Sequence, residues 1–175
     1  MRGRPLYNPS KLLIIKSKTV YIGAIASGYE MTIPELDHRR QSYSYQLEIP
    51  TRWGDNDMLG HLNNVVYYRL FEAIVVKFMT EEFDLDWTSG VENAQAVESL
   101  CRFHRPLSFP DVITAGLRVG RIGNSSVTFE VALFAPDDEE ASATGHVVEV
   151  LVDVNTGKSK AIDASRRAVL ERFSQ

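Results

Sequence analysis

Asp55, Asp57 and His61 fall within a seven-residue span, and His61, Asn63 and Asn64 lead straight into an apolar stretch. If that stretch is a helix, its first turn presents unpaired N–H groups and roughly half a positive charge, a ready place to polarise a carbonyl or hold an oxyanion. A carboxylate one short loop upstream can reach the same carbon, either attacking it or activating a water that does. Thioester hydrolysis needs that pair and little more, because a thiolate leaves without a strong general acid. The same three side chains make a poor metal site: no second histidine lies nearby and the apolar stretch adds only Glu72, so neither a metal nor a cofactor is expected.

The elements that must position these groups follow from periodicity. Tyr45, Leu47 and Ile49 alternate with Ser44, Gln46 and Glu48, the pattern of a half-buried strand that Pro50 ends. Residues 65–79 are apolar on almost every side, interrupted only by Arg69, Glu72 and Lys77 and free of Gly and Pro, which predicts one largely buried helix. Asn is a favoured N-cap, so its start is well marked. Four β-rich runs follow at 96–105, 112–122, 125–134 and 143–154, separated by Pro106 to Pro110, the Gly123-Asn124 pair, an acidic turn at 136–140 and Asn155-Thr-Gly. They predict an antiparallel meander. Residues 163–173 read as a short terminal helix. One strand, one buried helix and a run of longer strands is an α+β pattern in which a curved sheet wraps a long central helix. The sheet covers only part of an all-apolar helix, so a homodimer or homotetramer is expected.

Residues 52–72, Arg-Trp-Gly-Asp-Asn-Asp-Met-Leu-Gly-His-Leu-Asn-Asn followed by Val-Val-Tyr-Tyr-Arg-Leu-Phe-Glu, resemble the signature of the hydroxybenzoyl-CoA thioesterase-like branch of hot-dog proteins. Similarity in layout runs from about Tyr43 to Asp163 and includes Arg121-Ile-Gly-Asn-Ser-Ser126 at a hairpin. The resemblance implies a hot-dog fold and acyl-CoA as substrate. It assigns the catalytic carboxylate to Asp57 and the carbonyl-polarising N–H to Asn64, with His61 and Asn63 orienting the carboxylate, water or thioester. Some relatives grip the coenzyme A phosphates with a basic run near the hairpin. Here Ile122 and Gly123 follow Arg121, so phosphate binding rests on Arg121, with Ser125 and Ser126 as donors. Other hot-dog thioesterases carry their carboxylate on the central helix, which keeps Glu72 in reserve.

Simpler roles compete for several of these residues. Asp55 suits a turn cap, and Arg69, three residues before Glu72, is placed to pair with it. Cys101 and His104 lie three apart on a strand, hence on opposite faces, so a core cysteine is expected rather than a nucleophile and base. Arg102 and Arg105 read as surface arginines near a strand end. Two rival functions share the fold: an enoyl-CoA hydratase or dehydratase, and a non-catalytic acyl-CoA-binding protein. The hydratase loop Gly-Asp-x-Asn-Pro-x-His is not matched, because Met58 stands where its proline belongs and the histidine is displaced to position 61.

With 175 residues, 44% of them hydrophobic, the chain suits one compact domain. A net charge of −4 opposes non-specific nucleic-acid binding, and a lone cysteine excludes an intrachain disulfide framework and fits a reducing, cytoplasmic setting. Residues 1–30 hold five basic residues against Glu30 alone, but Lys16 and Lys18 break their apolar runs. No membrane span follows, and the continuous centre of a signal peptide is missing. Residues 1–42 are read as an N-terminal extension, disordered or owed to an upstream start, and 43–175 as the domain.

Overall fold

A computed structural model describes residues 37–174; the expectations placed on residues 1–36 lie outside them. The elements run β1 (Tyr45–Pro50), α1 (Asn64–Glu81), β2 (Glu92–Phe103), β3 (Val112–Ile122), β4 (Ser126–Phe134), β5 (Ala143–Asp153) and α2 (Ala164–Arg172). All five strands pair antiparallel in one curved sheet, in the order β1-β3-β4-β5-β2. The sheet wraps α1, which is the hot-dog arrangement. The expected four-strand meander is corrected at its first member. Only β3, β4 and β5 form it; β2 pairs with β5 at the far edge, so residues 104–111 carry the chain past two strands before β3 begins. The predicted two-residue hairpin at Gly123-Asn124 is one residue longer. Ser125 lies in the turn, which closes through Gly123 N–H donating to Ser126 O at 2.7 Å.

Helix α1 starts where its cap chemistry puts it, with Asn63 Oδ1 accepting from Val65 N–H at 3.2 Å. Val66, Tyr67, Leu70, Phe71, Ile74, Val75, Phe78 and Met79 form the buried stripe, meeting Ile113, Ala115 and Leu117 of β3 and Phe129 of β4 in the core. The helix is not covered all round. Val65 is 64% exposed, Tyr68 39% and Val76 37%, a second apolar stripe that this chain covers only in part. Gly145 on β5 lets the sheet come close. A Cβ there would strike the backbone oxygen of Leu100 and come within 2.5 Å of the Phe71 ring, so only hydrogen fits.

The other face of the sheet has its own apolar cover. Tyr43, Phe134, Ala132 and Ala141 form a small second cluster, with Arg118 over the Tyr43 ring at 5.2 Å. At the C-terminal end, Asp163 caps α2 by accepting from Arg166 N–H at 2.9 Å. Phe173 then packs edge-on against Phe78 and Tyr45 at 5.0 and 6.2 Å. Among the described residues no helix is long and apolar enough to cross a membrane.

Candidate active site

The loop between β1 and α1 is held from both ends before it presents any chemistry. Thr51 fastens its start, donating from both N–H and Oγ1 to Asp111 O at 3.1 and 2.7 Å. Asp55, 7% exposed, does the rest. Its Oδ2 accepts from Arg52 N–H at 2.8 Å, its Oδ1 from Arg69 Nη2 on α1 at 2.7 Å, and its backbone oxygen from Asn63 N–H at 2.9 Å. Every acceptor of Asp55 is thus spent on structure. The expected Arg69–Glu72 pair is corrected by the same contact: Arg69 leans back toward the loop, and Glu72 has no partner there.

Residues 57–60 form the next turn. Asp57 O accepts from Gly60 N–H at 3.1 Å, and Asp57 N–H donates to His61 O at 2.8 Å. Gly60 sits at φ +82°, a conformation that costs glycine nothing. Leu59 N–H donates to Asp57 Oδ1 at 2.7 Å, which orients the carboxylate and leaves its second oxygen uncommitted among the described residues. Asn56 ties the turn to the β2–β3 connection by accepting from Phe109 N–H at 3.0 Å.

Three of the first N–H groups at the start of α1 are used. Asn63 N–H goes to Asp55 O, Val65 N–H to the Asn63 side chain, and Val66 N–H to Asn63 O at 2.8 Å. Asn64 N–H has no acceptor among the described residues. It is therefore the free donor at the positive end of an 18-residue helix. Asp57, His61 and Asn64 line one cleft of about 360 Å³, together with Tyr67, Phe103, His104 and Arg105. Asn63 stands apart as the cap. Tyr67 closes the floor, its hydroxyl accepting from Leu107 N–H at 3.1 Å; burial raises its pKa, with the Asp57 charge adding to the effect.

Sequence reasoning missed Tyr67 and Phe103 and set His104 aside. Tyr67 was legible only as a core position, and Phe103 reaches the cleft because β2 ends beside the helix, with the two rings 4.9 Å apart edge to face. His104 Nε2 shares a hydrogen bond with Thr144 Oγ1 at 2.8 Å, and its ring lies 4.3 Å from that of His38. Cys101 packs against the core, where burial pushes its thiol up to about 12, the opposite of an activated nucleophile. Arg105 is tied to Asp138 at 3.2 Å and to Glu140 O.

Arg121, Ser125 and Ser126 do not join this cleft. Arg121 lies near the far end of β3, nine residues of extended chain beyond Val112 and thus roughly 30 Å along the strand from the loop, and Ser125 and Ser126 follow in the turn and at the start of β4. Arg121 lines a separate hollow of about 350 Å³ with Gly120, Thr128 and the Arg118–Glu130 ion pair, whose atoms are 2.6 Å apart. Ser125 and Ser126 do not line that hollow, and both backbone oxygens are taken, by Leu151 N–H and Gly123 N–H. Among the described residues no three His, Cys, Asp or Glu side chains gather as metal ligands would.

Comparison with other proteins places the family and the fold. The profile of the thioesterase-like superfamily matches residues 51–173. The crystal structure of the PA5185 protein from Pseudomonas aeruginosa strain PAO1 superposes with a TM-score of 0.76 at 39% identity, covering 79% of this chain and 96% of that one. The YsmA protein of Bacillus subtilis strain 168 is 27% identical over 124 residues, 69% of this chain and 80% of its own. A thioesterase from Thermus thermophilus, complexed with coenzyme A and Zn, shares the fold at TM-score 0.66 and 22% identity, covering 76% of this chain and 96% of that one. The chain, with its carboxylate turn set against a free helix-start N–H, belongs to the thioesterase-like superfamily.

Proposed function

We propose that the protein hydrolyses an acyl-CoA thioester to a carboxylate and free coenzyme A. One observation carries the reading: the uncommitted oxygen of Asp57 and the unpaired N–H of Asn64 border the same cleft. The thioester oxygen accepts from Asn64 N–H, which stabilises the charge that grows on it as the carbonyl carbon becomes tetrahedral. Asp57 acts in one of two ways. As nucleophile it bonds to the carbonyl carbon, the C–S bond breaks, and water then cleaves the resulting anhydride. As general base it takes a proton from the water that attacks, and that proton passes to the departing sulfur. His61 and Asn63 hold the geometry, His61 from the cleft wall and Asn63 as the cap that orients the first turn.

The catalytic unit is a homo-oligomer of the domain spanning residues 43–175. In a single chain Asp57, His61 and Asn64 are exposed, and the outer edge of the 12-residue strand β2 is open, with Val97 62% and Phe103 51% exposed. A long open edge beside a half-covered apolar helix stripe favours pairing with a second copy, which would also roof the cleft. Arg121 lies too far along β3 to serve the Asp57 of its own chain, so any phosphate contact it makes is to a substrate held by another subunit.

The test is a thiol-release assay over a panel of aliphatic and aromatic acyl-CoA substrates, with native protein and Asp57→Asn, beside crotonyl-CoA hydration. Thiol release that falls at least about a hundredfold in a folded Asp57→Asn supports the reading. Release at the native rate by that variant refutes it, and hydration without thiol release favours the hydratase. Single turnover in heavy-oxygen water that leaves label in Asp57 identifies the nucleophilic route, with water attacking the Asp57 carbon of the anhydride.

A further inference from the structure

On β5, Val147, Glu149 and Leu151 share the face turned toward α1, and the middle one is an acid. Glu149 is 8% exposed and has no hydrogen-bond or ion-pair partner among the described residues. Its carboxylate borders a cavity of about 300 Å³ lined also by Tyr68 and Glu72 of α1, by Ala96 and Ser99 of β2, and by Trp87. Burial, helped by the facing charge of Glu72, raises Glu149 to about 7. An unpaired acid is a costly choice for a site with no ligand, since an apolar side chain would fill the same place without penalty.

The cavity lies farther along α1 than the catalytic cleft, and the two share no lining residue. Asn64, Tyr68, Glu72 and Val76 lie four residues apart on one ridge of α1, the first lining the cleft and the other three the cavity. The facing wall is the inner side of β2. A bulge at Val97, where Ala96 pairs with Glu149 and Glu98 with Val148, keeps Ala96, Ser99 and Phe103 on that side despite their uneven spacing. From Asn64 to Glu72 is eight helical residues, about 12 Å. At about 3.5 Å per three extended bonds, roughly ten bonds span it.

We propose that Glu72 and Glu149 form a distal subsite that receives the end of an acyl chain carrying a protonated amine. The inference rests on the acyl-CoA reading. The chemistry selects a cation over a neutral group. An ammonium group between the two carboxyls draws Glu149 into its ionised form, donates hydrogen bonds to both and offsets the repulsion between their charges. Tyr68 and Trp87 line the same cavity, and aromatic rings attract a nearby cation. Trp87 Nε1 is already spent on Thr80 Oγ1 at 2.9 Å, so its ring rather than its N–H serves the cavity.

Competition kinetics test it with decanoyl-CoA, ω-hydroxydecanoyl-CoA and ω-aminodecanoyl-CoA. The native protein should favour the amine over the methyl end by about tenfold or more in kcat/KM, and that ratio should fall toward one in Glu149→Gln and in Glu72→Gln. A native ratio near one, or a preference for the hydroxyl over the amine, overturns the proposal. A second measurement is independent of turnover. With Trp53→Phe, Trp87 is the one remaining tryptophan, and hexylammonium should change its fluorescence at concentrations where hexanol does not. Loss of that response in Glu149→Gln supports the subsite even if no thioester is cleaved, in which case the hydrolase reading alone fails. No response in the native background overturns the subsite while leaving the hydrolase reading intact.

Discussion

Replacing Glu149 with Gln should stabilise the protein, and only above acidic pH. In the folded state the carboxyl holds its proton up to about 7, against an ordinary value of 4.5. Below the ordinary value the group is protonated whether folded or not, and it adds no pH dependence. As pH rises from about 4.5 to 7 the unfolded chain releases the proton while the folded one keeps it, so stability falls across this window and stays low above it. At about 1.4 kcal/mol per unit, the full cost is about 3 kcal/mol. Among the charged groups near it, Glu72 on α1 pushes in the same direction, and Ala96 of β2 and Val127 of β4, its cross-strand neighbours, offer no compensating charge. Glutamine keeps the shape and cannot ionise. Thermal unfolding should therefore show native protein and Glu149→Gln together near pH 4.5, with the variant melting up to roughly 6–12 °C higher near pH 8, from about 2–4 °C per kcal/mol in a domain of this size. A variant that melts lower at pH 8, or by the same margin at both pH values, would refute the assignment of a strained buried acid.

Three further substitutions probe how the loop before α1 and the sheet are held. Asp55→Asn breaks the contact with Arg69 and weakens the one with Arg52 N–H; a loss of about 1–3 kcal/mol in urea unfolding is expected, with slower thiol release because the Asp57 turn loosens. Unchanged stability would show that Asp55 does not anchor the loop. Asn63→Ala removes the cap on α1 and should cost about 1 kcal/mol by the same measurement; a neutral result would mean that the helix start is held by the Asp55 contacts alone. Gly145→Ala puts a methyl group against Leu100 O and Phe71, so the strand must shift; a loss of at least about 3 kcal/mol, or failure to accumulate as folded protein, is expected, and a native-like melting temperature would contradict the close packing.

Much of the site was legible because it is local. Cap chemistry at Asn63, the apolar run behind it and the turn residues around Gly60 are all set by neighbours within a few positions, and these place a helix start just after Asp57. The motif at 52–72 carries the same information. What escaped was non-local. Arg69 could reach either Glu72 on its own helix or Asp55 on the loop; the fold of the loop, through Asp55 O and Asn63 N–H, brings Asp55 within 2.7 Å and decides it. The meander failed at β2 because strand patterns state which residues pair, and not with whom. Pairing partners depend on the crossing made by residues 104–111.

From its own order, then, this chain determined a helix with a free N–H at Asn64, a carboxylate turn immediately before it, and strands enough to wrap the helix. Only the tertiary structure placed Arg121 about 30 Å away along β3, set Asp55 to work as an anchor, and drew Glu72 and Glu149 to one cavity from positions 77 residues apart. The reason is range. Caps and turns are decided by hydrogen bonds that a few neighbouring residues make among themselves, whereas the partner of a buried acid is decided by how a whole sheet closes on its helix.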